Sequence, residues 1–518
     1  MSEHGWISVI LLLALVGATL FITWRSSRRV KADVDFYAAG RSILGWQNGL
    51  AIAGEFMAAA ALLGIAGLIV FYGIDGQIYS LGWVGSFLIL LLLVAEPVRN
   101  IGKYTFADVV SFRLSQKVVR PQIALTTVVV SLTYLVPQMV AAGVLSRLLF
   151  GIPPAVGILI VGTLMTVYIA FGGMLAATWI QFLKAVMLIA CGYGLAIAAL
   201  AKFGFSLDAL FTAVITDPQL GGAWLEPGGW LASPWERFSL GLSLLFGTAA
   251  LPHVVMRFYT VPDKKHARAS ASWSLTFMTM FHVLTFIFGF AAAVLVGGEA
   301  VRALDPGGNL ATPMLAEVLG GGADSFGGAL AMSVIVVVAF MTIVAAVSGL
   351  YLSAAASFSY DFWFHTVRRG RQSPKAQVRT ARTSALVIGA MAVAIALALS
   401  GANVAYLSGL AFAMAATVNL PTLVLSLHWK RLTTAGASIG IVGGAVVSVL
   451  AVVLGPQVMG AGALFPLANP GLITIPIGFG LTIVGSLLTR DAHSQARFAE
   501  VLVRSNTGIG KIEAVSAH

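Results

Sequence analysis

Apolar runs of roughly 18 to 25 residues recur along the whole chain, and each is long enough to cross a ~30 Å hydrocarbon core as a helix. Thirteen can be marked, at about 6–24, 46–72, 77–97, 121–149, 154–173, 176–201, 238–258, 271–297, 327–357, 383–401, 405–428, 434–454 and 471–489. A soluble domain carries about 25% charged residues. This chain carries 10%, against 58% hydrophobic. The period-2 alternation of a membrane β-barrel is absent from the sequence. The expected fold class is therefore an all-α integral membrane protein of about 13 transmembrane helices. It forms one transmembrane domain over 1–490, followed by a short tail, 491–518.

Charge sets the expected orientation. Nothing basic precedes the first apolar run, and 25-RSSRRVK-31 follows it, so that run reads as a retained helix with its N-terminus outside. On that topology 26 of the 31 Lys and Arg fall in inside connections or the tail. The exceptions are Arg147, Lys202, Arg237 and Arg302 at outer ends and Lys184 within a span. This is the positive-inside rule obeyed along the chain, and it leads us to expect a cytoplasmic C-terminus. The net charge of +11 is then topology, not a nucleic-acid footprint. A lone cysteine, Cys191, excludes a disulfide framework, and the scattered histidines form no metal-ligand pair.

The polar exceptions to this apolar pattern are few. In 47-QNGLAIAGEFMAAAALLGIAGLIVF-71, Glu55 is the one acidic residue central to a span, and Lys184 in 176-AATWIQFLKAVML-188 is the one basic residue well inside one. Each costs about 2.5–3.5 kcal/mol or more at the bilayer centre, so such groups pair and mark ion or substrate pathways. The plainer alternatives are an interhelical hydrogen bond for Glu55 and snorkelling to the inner surface for Lys184. His282 reads as a buried core residue.

Helix breakers fall in two matching spans. The second carries Gly49, Gly54, Gly64 and Gly67 around Glu55; the seventh carries Gly241, Gly247 and Pro252. Broken helices at membrane depth line cavities. These spans open two consecutive five-helix units, about 46–201 and 238–428, that begin on opposite sides of the membrane. That is the organisation of an inverted-repeat secondary transporter.

At these residues the chain resembles the sodium:solute symporter family, and its acetate permease (cation/acetate symporter) branch. The likeness runs nearly end to end, through 47-QNGLAIAGEFM-57, 76-GQIYSLG-82, 99-RNIGKYTFADVVSFRL-114, 171-FGGMLAATWIQFLKAV-186, 246-FGTAALPHVVMRFYTV-261, 408-SGLAFAMAATVNLP-421 and 504-RSNTGIG-510. The resemblance implies a LeuT-type 5+5 inverted repeat with one leading and two trailing helices. It also implies uptake of acetate and related short monocarboxylates with a coupling cation.

The sequence departs from the family at the cation site. The family's pair of Ser/Thr sodium ligands on the ninth span corresponds here to Ala345 and Ala346, with Thr342 and Ser348 still polar nearby. An Asp common after the Trp of the sixth span is replaced by Gln181, with Lys184 one turn on. Two readings stay open. Either a lysine ammonium stands in for the bound cation and the coupling ion is H+, or Na+ binds at Thr342, Ser348 and second-span carbonyls such as that of Ile52. No other cofactor is expected. Beside an anionic substrate Glu55 must be protonated, paired with Lys184, or bound to the incoming cation, because like charges a few ångströms apart in low dielectric cost several kcal/mol. Substrate contacts are then expected at N–H groups near the breaks: Gly54, Met57 and Ala58, and Gly247 and Thr248. Tyr134 and Gln138, one turn apart in 133-TYLVPQM-139, can face the same cavity. Tyr134 can equally serve as an interhelical hydrogen bonder.

Other classes fit less well. No nucleophile motif or metal triad supports an intramembrane enzyme, and no filter loop or charged ring supports a channel. A symporter of another small organic solute remains open. So does a symporter-like sensor acting through a separate protein, although no obligatory protein partner is evident. The outer connections 203–237 and 298–326, rich in Gly and Pro, are expected to act as lids.

Overall fold

The computed structural model describes residues 5–27, 38–169, 174–231 and 233–509. Arg28, Arg29, Lys31, the first residues of the 171–186 motif and Lys511 lie outside them. Each of the thirteen apolar runs is helical where described. The leading helix is α1 (Gly5–Ser27). The second run is split into α2 (Gly45–Phe56) and α3 (Ile65–Tyr72), joined through π-helical turns at Ala60–Gly64. Then come α4 (Ile78–Ile89), α5 (Gln116–Phe150), α6 (Pro154–Ile169) and α7 (Met174–Lys202). The seventh run is split again, into α8 (Pro234–Gly247) and α9 (Pro252–Arg257). The rest follow as α10 (Lys264–Leu295), α11 (Phe326–Ala356), α12 (Pro374–Ala398), α13 (Val404–His428), α14 (Thr434–Val453) and α15 (Gly471–Leu487), with a tail helix α16 (Ala492–Thr507).

Among the described residues nine helices are long and apolar enough to cross a membrane, or ten if α15 and α16, bent by 119°, count as one span. The count among the described residues differs from thirteen for identifiable reasons. The breaks shorten the second run, and its outer half continues through the tight link Gly73–Gln77 into the third, so that Ala60–Ile101 counts once. The first and fifth runs, α1 (23 residues) and α6 (16 residues), enter that count only through their described stretches Trp6–Thr19 and Pro154–Thr163.

Local chemistry sets the helix starts. Ser233, Asp263, Ser325, Ser373, Asn403, Thr433 and Asp491 each accept a hydrogen bond from a first-turn N–H of the helix that follows. Proline at the first position opens α8, α9 and α12, where a missing N–H costs nothing. The tail is not loose. On α16, Arg504 Nε donates to Asn100 O (3.2 Å) and Ser505 O accepts from Asn100 Nδ2 (2.7 Å). Arg113, buried beneath it, donates to the carbonyls of Ser426, Trp429, Lys430, Leu432 and Ser494.

Candidate functional site

The two breaks face the centre of the bundle. At the first, Ala58 N donates to Phe56 O (2.6 Å) rather than to Gly54 O, the partner a continuous helix would give it. At the second, Thr248–Ala250 tightens into a 3₁₀ turn, Leu251 is extended, and Pro252 starts the next helix. The carbonyl of Ala250, released by this break, accepts from Asn419 Nδ2 on α13 (3.0 Å). A carbonyl so deep in an apolar bundle needs such a partner.

Glu55, at the C-terminal end of α2, is paired across the interior with Arg257, the last residue of α9. Arg257 Nε lies 2.7 Å from Glu55 Oε2, and both side chains are 1–2% exposed. The guanidinium also donates through Nη1 to Thr178 Oγ1 on α7 (2.9 Å). This corrects two expectations. Arg257, counted among the basic connections, is buried in the bundle, and of the states left open for Glu55 the pairing found is with Arg257 rather than Lys184. The misreading arose because Arg257 ends the apolar run, where a basic residue reads as the start of a connection.

The sixth and ninth spans close around this pair. Gly54 packs against the turn of α7 holding Gln181 and Ala185, at a separation that leaves no room for a side chain. Gly349 of α11 lies against the Glu55 carboxylate so closely that a β-carbon there would overlap Oε1. Gln181 Nε2 donates to Ala345 O (3.2 Å), and so does Ser348 Oγ (2.6 Å). Thr342 Oγ1 donates to Val338 O (2.7 Å). Thr342, Ala345 and Ala346 are fully buried or nearly so, Ser348 is 7% exposed, and Ile52 lies buried within the regular part of α2. The Thr342 and Ser348 hydroxyl protons are thus given to their own helix, and the Ala345 carbonyl accepts from both Ser348 and Gln181. Lys184 is fully buried, and its Nζ has no hydrogen-bond partner among the described residues.

A second group lies beside the first. Tyr134 of α5 packs on the His253 ring (5.5 Å between centroids) and on Phe412 (5.4 Å). Phe412 also meets Phe56 and Trp83, both at 5.7 Å. Gln138, a turn from Tyr134, is fully buried with both amide atoms unpartnered, as are both ring nitrogens of His253. Unpaired buried polar atoms cost about 1–3 kcal/mol each, so their concentration here singles the place out.

The expected break residues take different parts. Met57 N donates to Ala53 O (2.8 Å), so the N–H groups of Met57 and Ala58 are both taken within the chain. Gly247 is packed against the Phe412 backbone, and Thr248 Oγ1 donates to Leu244 O (3.3 Å). Backbone donors at the breaks are thus largely spent on the fold, and free polar atoms come from Gln138 and His253. The sequence pointed to Tyr134 and Gln138 but not to His253 or Arg257. Their signal was a polar residue on either side of the short α9, in 252-PHVVMR-257.

The ends are closed by different devices. At the basic end Arg120 bridges Asp108 (2.9 Å) and Asp361 (2.6 Å), and Thr105 Oγ1 donates to Asp361 (3.1 Å). At the other end the buried Asp75 carboxylate accepts from the N–H groups of Gly228 (3.1 Å), Trp230 (2.9 Å) and Leu231 (3.0 Å). Trp230 stacks on Tyr72 (5.4 Å) and Tyr79 (6.2 Å).

Comparison with known proteins agrees with this architecture. The model of the sodium:solute symporter family matches residues 36–444. The chain is 42% identical over 509 residues to an uncharacterized symporter, YwcA, of Bacillus subtilis (strain 168), covering 96% of this chain and 98% of that one. In fold it is similar to a Na+-coupled sialic acid symporter in a substrate-bound outward-open state (TM-score 0.75, 16% identity, 94% and 99% of the two chains). It is also similar to the nucleobase-cation-symport transporter Mhp1 in a closed conformation (TM-score 0.53, 16% identity, 90% and 98% of the two chains). The broken-helix architecture and the family match together make this chain a multi-pass membrane transporter, not an enzyme, and a member of the sodium:solute symporter family.

Proposed function

We propose that this symporter takes up acetate and related short monocarboxylates by alternating access, with H+ as the coupling ion carried on Lys184. The observation that carries the reading is that Glu55 is already matched by Arg257 at 2.7 Å, while Lys184 is buried with no partner among the described residues. A protonated Lys184 then adds one uncompensated positive charge to the interior, which an anionic substrate offsets. Release of that proton on the inner side removes the attraction and frees the anion. The carboxylate is received by the Gln138 amide and the His253 ring, and Ala58, Ala59 and Ala60 leave a methyl-sized space. The first break, at 57–59, lets the α2–α3 pair hinge, and the second does the same for α8 and α9.

Acetate as substrate is supported by the likeness to the acetate permease branch. It is also supported by the small residues at the first break. In this reading the chain lies in a bacterial plasma membrane with its basic connections cytoplasmic. A second reading, coupling to Na+, is favoured by family membership. It is opposed by the missing hydroxyls at Ala345 and Ala346, although Thr342 and Ser348, which donate to their own helix, keep oxygen lone pairs that a cation could use. The test of the substrate assignment is concentrative uptake of labelled acetate in proteoliposomes by wild type and Gln138→Leu. The expected result is accumulation by wild type and at least tenfold less by the variant, about 1.4 kcal/mol for one lost polar contact. No accumulation by wild type under any ion gradient contradicts the reading.

A further inference from the structure

We propose that the basic end of the molecule holds one anionic phospholipid, its acyl chain in a groove between α5, residues 357–367 and α12, and its phosphate at Arg379 and Arg368. The groove encloses about 440 Å³. Its walls are apolar: Val128 from α5, Phe358 and Trp363 from 357–367, and Val387, Ile388 and Met391 from α12. Ser357–Val367, which forms one of its walls, winds as a π-helix at the end of the ninth span.

The mouth of the groove has the opposite character. Arg379, Thr380 and Thr383 line it. The Arg368 guanidinium sits over the Trp363 ring, 5.4 Å from its centroid, which holds a charge at the rim. Arg369 and Arg371 stand beside it, and all four arginines are exposed. None of the four has an ion-pair partner among the described residues. No Asp or Glu occurs in the sequence between Asp361 and Asp491, and Asp361 is committed to Arg120. The positive-inside rule explains such charges in a connection, but not why they rim an apolar groove.

Depth decides the occupant. Arg379 lies in the polar first turns of α12, just ahead of the apolar run that begins near residue 383, where a basic side chain is expected at headgroup level. From Arg379 to Met391 is twelve residues, about 18 Å along a helix. That is close to half of a ~30 Å hydrocarbon core, one leaflet. A soluble anion would use the rim alone and a peptide would not run into the bilayer; an acyl chain with a phosphate on top matches both parts. Basic pockets between spans at this level select anionic headgroups. The proposal rests on membrane placement only and is independent of the substrate.

The test is native mass spectrometry of the full chain, titrated with phosphatidylglycerol or phosphatidylcholine. The expected result is retention of one phosphatidylglycerol, with phosphatidylcholine held far more weakly. Arg368→Gln and Arg379→Gln each lower retention about fivefold, as does Thr383→Trp, which fills the groove without changing charge. Arg431→Gln, which removes an exposed charge elsewhere at the same end, leaves it unchanged. Thermal unfolding of each variant checks that it is folded. Equal retention of the two lipids, an equal effect of Arg431→Gln, or full retention by Thr383→Trp would each overturn the proposal.

Discussion

Two charged side chains decide what the interior can do. Arg257 and Glu55 form a buried pair, and removing one member leaves the other uncompensated at a cost of about 3–5 kcal/mol. Glu55→Gln is therefore expected to lower the melting temperature sharply, whereas Glu55→Gln with Arg257→Met recovers most of the loss; calorimetry in detergent distinguishes the two. Gly349→Ala tests the same site from the opposite wall. Its β-carbon collides with the Glu55 carboxylate, so transport is expected to fall at least tenfold while expression persists. Asp108, outside the spans, supplies a pH signature. Burial pushes its pKa up, but the Arg120 guanidinium and the N–H groups of Tyr104 and Thr105 outweigh it and hold the carboxyl below its usual 3.8. A depressed folded-state pKa contributes stability that is present above the unfolded value and lost as pH falls through the folded one. The melting-temperature gap between wild type and Asp108→Asn is thus expected to be full at neutral pH and to close below about pH 4.

At the scale of elements, the outer loop over Asp75 and the two helix breaks are where movement can be tested. Three backbone N–H donors of residues 228–231 converge on Asp75, and a carboxylate holding several amides is a strong latch. Asp75→Ala is expected to free the 221–231 loop, so that a cysteine placed at Gly222 reacts with a maleimide reagent several-fold faster than in the otherwise wild-type background. Unchanged reactivity would make the contact structural. The sequence marked this loop as a lid from its Gly and Pro content, which the maleimide experiment tests; it also marked both helix breaks, which the structure bears out because Gly and Pro act locally. Asp75 as the latch could not be read there, since it is joined to its partners across more than 150 positions.

For the whole molecule, the all-helical fold and the repeat organisation were legible because bilayer thickness and positive-inside charge act on any chain of this kind. The centre was legible only in part. Glu55, Lys184, Tyr134 and Gln138 stood out as polar residues in apolar runs, whereas Arg257 was hidden at the edge of one. Which base meets Glu55 depends on how the α8–α9 span packs against α2 and α7, a tertiary fact with no local signature. On the proposed reading the consequence is functional: with Glu55 matched, Lys184 would be the group that carries coupling. The most direct test is acetate uptake into proteoliposomes with pH and sodium gradients imposed separately, for wild type and Lys184→Ala. The account predicts that a pH gradient alone, in sodium-free buffer, drives uptake by wild type and that Lys184→Ala abolishes it. Uptake driven only by sodium, and retained in Lys184→Ala, would contradict it.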